Sequence, residues 1–87
     1  MSDSWAWEYD PDEEQVAAGL PALVTSEVER LADQLATLGA DAAGAGRGPL
    51  HGGGLRTLDL FGGRGFVHFI VAEHLQLVLI VRITWLD

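Results

Sequence analysis

The feature that most constrains this chain is the stretch 75–86, which reads as a strand apolar on both sides. By strand alternation Leu75, Leu77, Leu79, Val81, Ile83 and Trp85 share one side. Gln76, Val78, Ile80, Arg82, Thr84 and Leu86 share the other. A surface strand in a small domain alternates apolar with polar residues, because one helical layer covers only one face of a sheet. In a chain of 87 residues little remains to cover the second face. A strand of this kind therefore points to a partner.

Composition narrows the possibilities. An apolar content of 48% suits a globular fold and argues against disorder. The absence of cysteine removes disulfides, zinc-thiolate sites and thiol chemistry. The N-terminus lacks the pattern of a signal peptide, and the longest apolar run, near 77–86, is too short for a membrane helix and contains Arg82. A soluble, cytoplasmic protein without membrane association is expected. The net charge of −8 is uneven. Asp3, Glu8, Asp10, Asp12, Glu13, Glu14, Glu27, Glu29, Asp33 and Asp41 face only Arg30 within residues 1–41, giving −9. Asp59, Glu73 and Asp87 face Arg47, Arg56, Arg64 and Arg82 in the remainder, giving +1. An acidic chain repels phosphate backbones, which disfavours nucleic acid as a partner.

Along the chain, Trp5-Ala6-Trp7-Glu8-Tyr9 alternates as a short strand. Asp10 and Pro11 stand as N-cap and first residue of a short helix whose first turn is acidic. Gly19-Leu20-Pro21 interrupts it, and Pro21 opens a second helix. That helix has an apolar stripe of Leu20, Leu23, Val24, Val28, Leu31, Leu35 and Leu38, with Gly39 as its C-cap. Residues 40–54 contain six glycines and read as a flexible loop. Strands follow at 55–61, 66–71 and 75–86, the first two joined by the turn Gly62-Gly63-Arg64-Gly65. The expectation is one domain over 1–87, an α+β fold of order β-α-α-β-β-β in which a small, mostly antiparallel sheet packs on a helix pair.

This order resembles that of the RelE/ParE family of toxins from type II toxin–antitoxin systems. The local likeness lies in Gly48-Pro49-Leu50, in Gly54-Leu55-Arg56-Thr57-Leu58-Asp59-Leu60, in Gly63-Arg64-Gly65-Phe66-Val67-His68-Phe69-Ile70-Val71 and in Leu77-Val78-Leu79-Ile80-Val81-Arg82-Ile83. The resemblance implies a first strand paired with the last, a toxin-like lineage and a cognate antitoxin as partner. It does not carry over messenger-RNA cleavage. The family's catalytic arginines would fall on Phe61 and Phe66, its tyrosine on Phe69, and its C-terminal catalytic positions near Trp85-Leu86-Asp87. Phenylalanine neither stabilises a phosphorane charge nor moves a proton.

Strand parity places Leu58, Leu60, Val67, Phe69, Val71, Leu77, Leu79, Val81 and Ile83 against the helices. Phe61, Phe66, Ile70, Val78 and Ile80 form an apolar patch on the open face, a candidate partner-binding surface. Asp59, His68 and Arg82 share that face, and Glu8 joins them if the first strand pairs with the last as the resemblance implies, with Arg82 expected to pair with Glu8 or Asp59. His68, Arg82, Arg56 and Arg64 are the only candidates for acid–base or phosphate chemistry. The glycine runs lack the features of a phosphate loop, and His51, His68 and His74 lack ligand spacing. No cofactor or metal is expected. The leading reading is the toxin-like half of a pair acting by protein binding. A divergent messenger-RNA interferase and a homo-oligomeric module, covering the open face with its own copy, are the alternatives.

Overall fold

A computed structural model describes residues 4–48 and 54–86 and shows an α+β fold. Strand β1 (Ala6–Tyr9) leads into a short helix α1 (Glu13–Ala17) and a long helix α2 (Ala22–Leu38). Strands β2 (Arg56–Leu60), β3 (Gly65–Ala72) and β4 (Leu77–Trp85) follow as a meander. The sheet order is β1-β4-β3-β2, with β1 parallel to β4 and the other pairs antiparallel.

Local chemistry sets the helix ends. Asp12, not Asp10, is the N-cap of α1, and its carboxylate accepts from the Gln15 N–H at 2.9 Å. Helix α2 stops at Gly39, whose φ of 61° and ψ of −130° suit glycine alone. A side chain there would also meet the Trp5 indole, with Nε1 only 3.1 Å from the position of a Cβ. Gly39 thus ends the helix and seats the tryptophan at once. The buried stripe of α2 is Val24, Val28, Ala32 and Leu35, with Leu20 and Leu31 beside it. Leu23 and Leu38, expected on the stripe, are exposed at the helix ends, and Ala32 takes a core place that a leucine pattern does not reveal.

The core lies between α2 and one face of the sheet. Val67, Phe69 and Val71 of β3 point into it with Leu60 of β2, while Trp7 and Tyr9 of β1 close its flank. Strand β4 departs from simple alternation. Ala72, Val71, Ile70 and Phe69 lie opposite Leu77, Val78, Leu79 and Ile80. His68, Val67, Phe66 and Gly65 lie opposite Arg82, Ile83, Thr84 and Trp85. Val81 is the extra residue of a β-bulge, and it inverts the parity of the strand's first half. Val78 and Ile80, expected on the open face, are therefore fully buried in the core. Leu77 and Leu79, expected in the core, share the opposite face with Ala72 and Ile70.

The bulge makes a pair of substitutions discriminating. Ile80→Ala is expected to cost about 2–5 kcal/mol, as for other large-to-small core changes, whereas Leu79→Ser stays within about 1 kcal/mol. Urea unfolding of the two variants checks this, and unbroken alternation requires the reverse order.

Candidate functional site: the open sheet face

The face away from the helices is built by alternate residues of all four strands. Phe66, His68 and Ile70 come from β3; Leu77, Leu79, Arg82 and Thr84 from β4; Thr57 and Asp59 from β2; Ala6 and Glu8 from β1. Phe66, Ile70, Leu77 and Leu79 are half-buried, and none of them belongs to the core cluster or to the hydrophobic residues packed against it.

A polar row crosses this surface. His68 Nδ1 lies 3.1 Å from the Thr57 hydroxyl and His68 Nε2 lies 3.2 Å from the Thr84 hydroxyl. Each hydroxyl can donate or accept, so a neutral imidazole is satisfied at both nitrogens. Burial holds the His68 pKa below the ordinary imidazole value, and the Arg82 charge on the neighbouring strand adds to the effect. His68 is a neutral cross-link between three strands. Arg82, directly opposite His68 in the register, is exposed and has no ion-pair partner among the described residues. The pairing of Arg82 with Glu8 or Asp59 expected from the sequence is not made. Asp59 instead binds Arg47 at 2.9 Å, and the Arg47 guanidinium lies 5.9 Å from the centre of the Phe66 ring.

Arg47 belongs to the glycine-rich stretch between α2 and β2. That stretch begins as a 3-10 helix at Gly39–Gly44, with Ala42 buried in the core. It then runs antiparallel to β2, where Arg47 and Thr57 exchange both backbone hydrogen bonds at 2.9 and 2.8 Å. Residues 49–53 of the segment 40–54 lie outside the described residues. Arg56, a sequence candidate for phosphate chemistry, is buried on the core side opposite Phe69. Its guanidinium donates to the Ala45 carbonyl at 2.7 Å and the Gly46 carbonyl at 3.3 Å. Arg56 is the clasp that holds this stretch to β2.

The remaining candidates lie at the end of the sheet. Arg64 stands 5.7 Å from the centre of the Trp85 ring, and Phe61 meets the same ring edge-on at 5.8 Å. Gly65 leaves the room that Trp85 fills, since a Cβ there would lie 2.9 Å from Trp85 Cε3. Phe61 therefore covers the core's end and is not part of the open-face patch. Of the four arginine and histidine candidates, only His68 and Arg82 come together. Among the described residues no cluster of histidine and acidic side chains could hold a metal, and no helix is long and apolar enough to cross a membrane.

The electrostatics of His68 have a definite sign. The folded chain binds this proton less readily than the unfolded chain, so stability is lost as the pH falls from about 6.5 through the folded value. An NMR titration of the ring protons is expected to place His68 below about 6.5. Arg82→Gln recovers only the smaller part of the depression, because burial is the larger cause. Titration at or above the ordinary value would contradict the buried, hydroxyl-bridged ring.

No protein family, curated protein or solved structure matches this chain.

Proposed function

We propose that this chain is a binding module, the toxin-like half of a toxin–antitoxin pair, and that it holds its partner on the open sheet face. One observation carries the reading. Ile70, Leu77 and Leu79 gather beside an exposed arginine that lacks a carboxylate within the described residues, on the face turned away from the core cluster. Contiguous apolar surface with a charged rim is the usual mark of a protein interface. The RelE/ParE-like order of elements suggests which kind of partner this is: an antitoxin-like segment with apolar side chains for the patch and a carboxylate for Arg82.

Catalysis has less support. His68 is neutral and tied to two threonine hydroxyls, Arg56 is spent on loop carbonyls, and Arg64 stacks on Trp85 at the far end of the sheet. Among the described residues a proton-transfer pair and a cation aimed at one phosphate position are not assembled.

The test is co-purification of the tagged chain from its native host with mass analysis of what it retains. A stoichiometric heterologous partner is expected, lost with Leu79→Asp and weakened about tenfold or more with Arg82→Glu while both variants stay folded. Retention of the same partner by both variants would overturn the assignment of this face. A self-complex would favour the homo-oligomeric module instead.

A further inference from the structure

The two edges of the sheet are treated differently. The β2 edge is covered by the Arg47 bridge to Thr57. No described strand pairs with the outer edge of β1, the last strand in the order β1-β4-β3-β2. The Ala6 N–H donates to the Gln76 carbonyl at 3.2 Å and the Asp10 N–H to the Ile80 carbonyl at 2.9 Å. Backbone groups alternate in direction along a strand, so those of Ala6, Glu8 and Asp10 serve β4. Those of Trp7 and Tyr9 face outward. A row of outward N–H and C=O groups is a template for an added strand.

Beside this edge lies an open cleft of about 810 Å³ between β1 and the last turns of α2, lined by Trp5, Trp7, Asp33, Thr37, Leu38 and others. Three independent features make it a place for a cation. The Trp7 indole donates from Nε1 to Asp33 Oδ1 at 2.8 Å, so the exposed Asp33 carboxylate is held in the cleft with Oδ2 still able to accept. Two indole rings line the same space, and indole faces attract cations. The C-terminal end of the 17-residue α2 closes the cleft, and its last turn carries no basic residue to answer the negative end of the helix dipole. The surroundings reinforce this sign. Glu29 lies within hydrogen-bond distance of the Tyr9 hydroxyl, whose pKa is pushed up to about 12 by burial and by the Glu29 and Glu13 charges. Arg30, the one basic residue of the first 41, is already bound to Glu27 at 2.6 Å.

We infer that the β1 edge is a second docking site, which takes an extended segment of a partner protein as a fifth strand and seats an arginine or lysine of that segment in the Trp5–Trp7–Asp33 cleft. Charge complementarity selects the occupant. An acidic segment would meet Asp33, Glu29 and the helix terminus with like charge, and a purely apolar one would leave the Asp33 carboxylate desolvated without a partner. Arginine suits the cleft better than lysine, because a planar guanidinium can stack on indole while it bonds a carboxylate. This site stands on the opposite side of β1 from its pairing with β4 and does not depend on the open-face reading.

The experiment is a titration of the intact, isotopically labelled chain with the peptide acetyl-Val-Arg-Val-Arg-Val-amide, followed by NMR. Two control peptides carry lysine or glutamate in place of arginine. Shifts of the Trp5 and Trp7 indole N–H signals and of the Trp7 and Tyr9 backbone amides are expected. The affinity order should be arginine over lysine, with no binding of the glutamate peptide, and binding should weaken in high salt. Asp33→Asn, an exposed change that leaves the core intact, is expected to weaken the arginine peptide about tenfold. No binding by the folded chain, equal binding of arginine and glutamate peptides, shifts confined to the open face, or indifference to Asp33→Asn would each overturn the site.

Discussion

The pairing of β3 with β4 forms the middle of the sheet, and Val81 is the one residue of β4 that it leaves unopposed. What β4 presents on each face follows from that insertion. The bulge lets Ile83 and Trp85 point to the same side as Val78 and Ile80, although the two pairs differ in parity. The core thereby receives two short β-branched residues beneath α2 and a large indole at the sheet's end. The opposite face receives Leu77 and Leu79 next to β1 and Arg82 next to His68. A strand without the insertion would bury its leucines and expose the residues that now fill the core. The bulge thus separates an apolar half of the open face from a polar half.

Much of this arrangement is legible in the sequence because it rests on local chemistry. The order β-α-α-β-β-β, the stop at Gly39, the inward set Val67, Phe69 and Val71, and the placement of His68 on the open face all follow from periodicity, turn residues and parity. What is not legible is what depends on contacts distant in the chain. No local signal marks Val81 as unpaired, since it sits in an unbroken aliphatic run. Arg56 reads as a candidate for phosphate chemistry until the stretch after the 3-10 helix brings the Ala45 and Gly46 carbonyls to it. Phe61 reads as an open-face residue because its place in the strand count suggests so, yet the turn gives it a φ of 50° and turns it onto Trp85. Asp59 and Arg82 look like natural partners, but Arg47 reaches Asp59 first from a segment whose sequence resembles a loose linker.

The same contacts explain how the chain manages its exposed backbone. At β2 the glycine-rich segment is fastened by Arg56 on one face and by the Arg47–Asp59 pair on the other, so a segment with little apolar content still shields the strand edge. Gly46 is needed there because a side chain would run into the Thr57 carbonyl. At β1 no such cover is present among the described residues. Acidic side chains from the first 41 residues surround that edge instead, which discourages pairing between two copies of this chain while leaving the edge open to a cationic strand. The uneven charge of the sequence thus acquires a location. The two surfaces differ in kind: one sets an apolar half against a polar row that carries Arg82, the other is aromatic and acidic.

The central claim is the register of β4, since the composition of the open face depends on it. Cross-strand backbone NOEs in the isotopically labelled chain measure that register directly. They are expected to place Phe69 opposite Ile80 and Ile70 opposite Leu79, with His68 still opposite Arg82. A continuous register, with Phe69 opposite Val81 and Ile70 opposite Ile80, would return Ile80 to the open face and contradict the account.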